Sequence, residues 1–101
     1  MARGKVHMHL YKDKFAHSVA FVLLEKQIIS GKMYIPQKEI YSELGCTKQT
    51  FYNHLQNIRN IILLETMGIT GARIGKQRYF TIDIQKYGSY LAKLKGSLTT
   101  N

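Results

Sequence analysis

The sequence predicts an α+β fold, mainly helical, and three observations carry that prediction. Apolar residues recur at helical spacing over 14–30 and again at Phe51, Leu55 and Ile58, which stand at i, i+4 and i+7. Between these stretches Pro36, Gly45 and Thr47 punctuate the chain as two short helices joined by a tight turn. Beyond a glycine-bearing stretch, residues 78–84 alternate in the period of a strand. At 101 residues and 45% apolar, the chain makes one domain with a modest core, much of it drawn from seven Tyr and four Phe.

Residues 1–4 read as a loose basic tail, and 5–11 alternate with Val6, Met8 and Leu10 on one side. Residues 1–13 are thus expected to form an N-terminal arm with a strand, a candidate dimer contact. His7 and His9 share a side, but a metal site needs at least a third ligand. His17, His54 and Cys46 stand at no ligand spacing, so no metal is expected.

Asp13 is a plausible N-cap for a helix over 14 to about 30. Phe15, Val19, Val22, Leu23 and Ile29, with Ala16 and Ala20, fill most of its circumference. Such a helix is buried on more than one side, either as the central core helix or as a core helix that also serves a dimer interface. Gly31 closes it, and Pro36 holds Ile35 away from helical angles, so 32–35 reads as an extended connector with a small strand.

Pro36 suits the first position of the next helix, where its missing N–H costs nothing. Ile40, Tyr41 and Leu44 give that helix its apolar side, and Gly45 ends it in the left-handed conformation. Cys46 in the turn reads as a small buried residue, and one cysteine cannot form an internal disulfide, which fits a reducing cytoplasm. Thr47 N-caps the second helix. Opposite its Phe51/Leu55/Ile58 stripe stand Lys48, Gln49, Tyr52, Asn53 and Gln56. In helix-turn-helix units this end of the second helix enters the DNA major groove, where Lys reaches guanine and Gln or Asn reaches adenine. Thr47 and Thr50 would bond to phosphates.

The second helix is expected to end near Asn60 or Ile61, with a strand beginning in the run Ile61-Ile62-Leu63-Leu64. Residues 68–77 hold three glycines and supply the turn, and 78–84 return as the second strand. The tip of this hairpin carries Arg73, Lys76, Gln77 and Arg78, suited to neutralising phosphates, and Lys38 would add a further phosphate contact. Residues 85–95 form a last helix with Tyr87, Tyr90, Leu91 and Leu94 on one face, weakened by Gly88. It either packs back on the first helix or meets its copy in a dimer, the second being favoured, and 96–101 read as a tail.

Fifteen Lys and Arg against six Asp and Glu give a formal charge of +9 and a pI near 9.8. A small domain so charged attracts polyanions, nucleic acid first among them. A membrane surface would call for a basic amphipathic helix with a Trp- or Leu-rich face, and none is present; the apolar runs are too short to span a bilayer, and the start carries no signal-peptide pattern. The few acidic residues are not clustered, so His7 and His9 lack the carboxylates of a metal-dependent nuclease, no catalysis is expected and no cofactor is implied.

In that order of elements, and most of all in Lys38-Glu-Ile-Tyr-Ser-Glu-Leu-Gly-Cys-Thr-Lys-Gln-Thr-Phe-Tyr-Asn-His-Leu55, the chain resembles the winged helix-turn-helix family. The resemblance covers residues 14–84, with 85–101 holding the extra C-terminal helix many members use to dimerise and a tail. It implies a two- to three-stranded wing sheet, residues 47–53 in the major groove and 73–78 as the wing. One departure is that Ile61-Ile62-Leu63-Leu64 lacks the glycine that often leads from the recognition helix into the wing strand. The implied function is sequence-specific double-stranded DNA binding by a cytoplasmic, nucleoid- or plasmid-associated homodimer. Its role would be transcription regulation or a centromere-type adaptor in plasmid or phage segregation. The alternative is a winged-helix protein-interaction module in a nucleoprotein assembly, since the fold also serves protein docking.

Overall fold

The first helix, α1 (Lys14–Ser30), is the element on which the others pack. In this computed structural model, which describes residues 14–99, the chain continues as β1 (Ile35–Pro36), α2 (Gln37–Leu44), α3 (Lys48–Leu55) and α4 (Ile58–Thr66). It ends with β2 (Ile69–Ile74), β3 (Gln77–Ile82) and α5 (Ile84–Thr99). The 5–11 strand, the Asp13 cap, and His7 and His9 lie outside the described residues. An α+β, mainly helical fold is therefore observed, with a three-stranded antiparallel sheet in the order β1-β3-β2.

On α1, Ala16, Val19, Ala20, Val22 and Leu23 are buried. The two alanines, one turn apart and fully covered, let neighbouring elements approach its backbone closely. Lys26 reaches Glu39 at 3.7 Å and Glu43 at 3.5 Å on α2, and Lys32 reaches Glu39 at 2.8 Å, which sets α2 against α1. The Lys32 hydrogen bond holds the Glu39 carboxyl below its ordinary value, against the opposing effect of desolvation, and the charges of Lys32 and Lys26 act in the same sense as the bond.

Gln27, half-buried on the same helix, joins it to the sheet. Its Nε2 donates to the Ile82 carbonyl at 3.1 Å, while its Oε1 accepts from the Ile82 N–H and the Thr81 hydroxyl, both at 2.9 Å. Strand β1 spans two residues and pairs only with Tyr79 and Phe80. The side-chain amide of Gln27 takes the place that a longer β1 would occupy beside Ile82, with one donor and one acceptor, as a peptide group would offer.

The turn between α2 and α3 follows its residues. Gly45 adopts φ 72° and ψ 26°; its N–H donates to Ser42 O at 3.1 Å, and the N–H of Cys46 donates to Tyr41 O at 3.0 Å, which satisfies two carbonyls at the helix end. Pro36 stands one place earlier than expected. With ψ 140° it is the extended N-cap of α2 and pairs with Tyr79, so it belongs to the strand rather than to the first helical turn.

The second correction is larger. The helix begun at Lys48 stops at Leu55, and residues 58–66 form a separate helix where a strand was expected to begin. Asn57 makes the break: extended at φ −74° and ψ 124°, its side chain accepts from the N–H groups of Arg59 at 2.9 Å and Asn60 at 3.3 Å. Asn60, buried at 8% exposure, returns its amide to the His54 carbonyl at 2.9 Å and ties the two helices together. Asn60 and Leu64, with Met67 just past the helix end, form the inner face of α4, while Ile58 turns outward and does not extend the Phe51/Leu55 stripe.

The first hairpin strand is therefore 69–74, inside the stretch expected to be turn, and only Gly75 and Lys76 connect it to β3. Gly68 leads into it at φ 90°, with its carbonyl accepting from the Asp83 N–H at 2.8 Å. The returning strand ends at Ile82 rather than Ile84, because Asp83 caps α5 by accepting from the Lys86 N–H at 3.1 Å. Helix α5 runs on to Thr99, through most of the expected tail. Tyr87 and Tyr90 pack on the core of their own chain, and the Tyr90 hydroxyl lies 3.4 Å from His17 Nε2 on α1.

Three outcomes are expected in denaturant titrations. Gln27→Leu should lower stability by about 1–3 kcal/mol, because it strands the backbone N–H and carbonyl of buried Ile82. Gly68→Ala should cost more than Gly45→Ala: both lose left-handed freedom, but only at Gly68 would a Cβ meet neighbours, Lys86 Cβ at 2.9 Å and Asp83 O at 3.0 Å. Glu39 stabilises the fold above the unfolded carboxyl range, and that contribution is lost as pH falls through its lowered folded value. Glu39→Gln should accordingly flatten the acid limb of the stability profile.

Candidate nucleic-acid interface

Helix α3 is held by one ring. Phe51, 1% exposed, lies 5.6 Å from Phe15 of α1, 5.8 Å from Tyr41 of α2 and 6.1 Å, edge-on, from Phe80 of β3, measured between centroids. Leu55 is buried one turn later, and His54 stacks on Phe15 at 4.7 Å. With that side fixed inward, Gln49, Tyr52, Asn53 and Gln56 fall at i, i+3, i+4 and i+7 on the outer side, all exposed. Lys48 and Thr50 flank this stripe, also exposed.

The groups on the stripe are partly organised already. Gln49 Nε2 donates to Asn53 Oδ1 at 2.9 Å, which leaves an acceptor on Gln49 and the donors of Asn53 facing outward. The Thr47 hydroxyl accepts from the Thr50 N–H at 3.1 Å and donates to Thr50 Oγ1 at 3.0 Å. Both capacities of Thr47 are thus engaged in capping α3, and the hydroxyl proton left for an outside acceptor is that of Thr50.

At its N-terminal end the stripe meets α2, where Gln37 lines a shallow depression with Lys48, Gln49 and Tyr52. Gln37, half-buried, was not among the residues singled out from the sequence; an amide at a helix start was its only signal. Lys38, which was singled out, is exposed but lies outside that depression. At the other end Gln56 lines a groove with Arg73 and Arg78 of the hairpin, floored by Leu55, Leu64, Ile69 and Phe80. Two of the expected hairpin cations are therefore brought beside the end of α3.

On the hairpin itself Arg73 stands directly across from Arg78, and Ile74 across from Gln77. The Arg78 guanidinium lies 6.0 Å above the Phe80 ring, within reach of a cation–π contact. Arg73, Lys76 and Gln77 are exposed, and Arg78 is half-buried. Among the described residues Arg73, Lys76 and Arg78 form no ion pair; the ion pairs engage Lys26 and Lys32 with Glu39 and Glu43 instead. No carboxylate occurs from Cys46 to Leu64 or from Thr66 to Ile82, and Glu65, which lines the groove, is the single acidic residue between them.

Cys46 packs half-buried against the core, and burial pushes its thiol up from its ordinary value, which disfavours the reactive thiolate. Among the described residues no three His, Cys, Asp or Glu side chains are grouped to hold a metal ion, and no helix is long and apolar enough to cross a membrane. Compared with known proteins, the chain matches no family model, no curated protein and no solved structure. The arrangement on the surface is what a functional reading rests on.

Because Thr47 is committed to the cap, Thr47→Ala should lower stability by about 0.5–2 kcal/mol, and Thr50→Ala, which leaves a capping hydroxyl in place, should cost less. Urea titrations of the two variants check the order.

Proposed function

We propose that the chain is a winged helix-turn-helix protein that binds double-stranded DNA in a sequence-dependent way and performs no catalysis. The observation that carries the reading is the outer stripe of α3. It begins with Lys48 beside Gln37 of α2 and runs through Gln49, Tyr52 and Asn53 to Gln56 beside Arg73 and Arg78 of the hairpin. Amides and a lysine near a helix N-terminus suit the edges of bases in the major groove, while the hairpin cations suit phosphates. In this reading α3 is the recognition helix and β2–β3 the wing.

A homodimer fits the reading, since small readers of this kind double their contacts by pairing on two half-sites. The supporting feature is α4, where Ile58, Ile61 and Ile62 stand exposed at i, i+3 and i+4, spaced for a helix–helix contact. Action as a transcription regulator or as a centromere-type adaptor follows equally from this chemistry. The same isoleucines favour the second reading, docking of a different protein in a nucleoprotein assembly. The mass of the chain in solution, alone and on a duplex, separates the two.

Asn53→Ala should lose preference between duplexes more than it loses affinity. Arg78→Ala should weaken all duplexes about equally and flatten the dependence of log K on log salt by about one unit. Titrations of selected and random duplexes at two salt concentrations check both. Wild-type binding by both variants would contradict this assignment of faces.

A further inference from the structure

The hairpin ends in a residue that neither the fold nor phosphate contact uses. Ile74 is 62% exposed, at the last position of β2 and next to the Gly75–Lys76 turn. Strand alternation puts it on the sheet face opposite the Arg73/Arg78 pair, with Gln77 across from it. The tip therefore presents one branched apolar side chain beside Gln77 and the Lys76 turn, with Arg73 and Arg78 on the reverse face, and none of the three cations has an acidic partner among the described residues.

Two features make this a tool rather than an ordinary exposed side chain. The first is reach: β2 starts at buried Ile69, and five residues at roughly 3.3 Å each carry Ile74 about 17 Å from it along the strand. That exceeds a minor-groove depth of about 7.5 Å. The second is the directly opposed Arg73 and Arg78, a like-charge pair that disfavours the hairpin until anions lie beside it. Phosphates on both rims of a narrow groove would supply them. Apolar side chains carried into the minor groove by cationic neighbours part base steps and kink the duplex.

We propose that the hairpin tip enters the minor groove of duplex DNA and that Ile74 acts as an apolar wedge that unstacks one base step and bends the duplex. The proposal rests on the duplex-binding reading above and adds DNA bending to it. Pyrimidine–purine steps, which unstack most easily, are the expected point of entry.

The test uses the full chain and a duplex selected by it from a random pool, with fluorophores at both ends and 2-aminopurine placed at successive steps. Wild-type protein should shorten the end-to-end distance, corresponding to a bend of roughly 20–90°, and raise 2-aminopurine emission at one step. Ile74→Ala, at an exposed site, should keep affinity within about threefold and lose both signals. Ile74→Met should retain them, because Met also serves as a wedge. Binding without bending, or bending unchanged in Ile74→Ala, overturns the wedge and leaves duplex binding standing. If no duplex is bound, the underlying reading fails and the wedge fails with it. Ile74-dependent capture on phosphatidylserine vesicles, without any duplex distortion, would overturn the wedge in favour of a membrane contact.

Discussion

Everything placed on the outer surface depends on what Phe51 does inside. A ring 1% exposed, touching Phe15, Tyr41 and Phe80, joins α1, α2 and the sheet through one side chain of α3. Edge-on and tilted packing of this kind adds to the energy of burying the rings and restricts how α3 can rotate about its axis. Once Phe51 and Leu55 point inward, the helical period leaves no freedom to Gln49, Tyr52, Asn53 and Gln56. Gln27 does the same for the hairpin. By lending its amide to Ile82 it fixes the base of β3 against α1, so the Arg73/Arg78 pair projects from a defined place.

The distribution of charge follows a division of labour. Glu39 and Glu43 on α2 are engaged by Lys26 and Lys32, where the ion pairs fasten one helix to another. Asp83 is occupied by the cap of α5. The basic side chains of α3 and the hairpin are left with few carboxylates nearby, and two arginines are held side by side across the strands. That arrangement works against the hairpin in isolation and becomes favourable when a polyanion supplies the missing charge.

How much of this could be read in advance depends on whether the signal was local. The Gly45 turn and the Thr47 cap were legible because a left-handed glycine and a capping hydroxyl act on their immediate neighbours. The outer stripe of α3 was legible from the helical period. Asn57 was not, because an Asn in a polar stretch looks the same inside a helix as at a cap, and only its extended backbone decides. The run from Ile61 to Leu64 misled for a related reason: a short apolar run has no period to tell a buried helix from a strand. With β2 placed too early in the sequence, its true residues at 69–74 passed for turn, and Ile74 went unnoticed at the tip. Gln27 and Gln37 owe their roles to tertiary neighbours far away in the chain, which one sequence does not reveal.

In the proposed function the α3 stripe and the hairpin act as one surface for duplex DNA. Amide hydrogen exchange or NMR shift mapping of the full chain, with and without a bound duplex, reads that surface residue by residue. Perturbations should concentrate at 47–56 and 70–79 together, with the exposed residues of α1, Phe21, Ile28 and Ile29, unchanged. Changes centred on α1 or α4 with none at 47–56 would contradict that reading and place the working surface elsewhere.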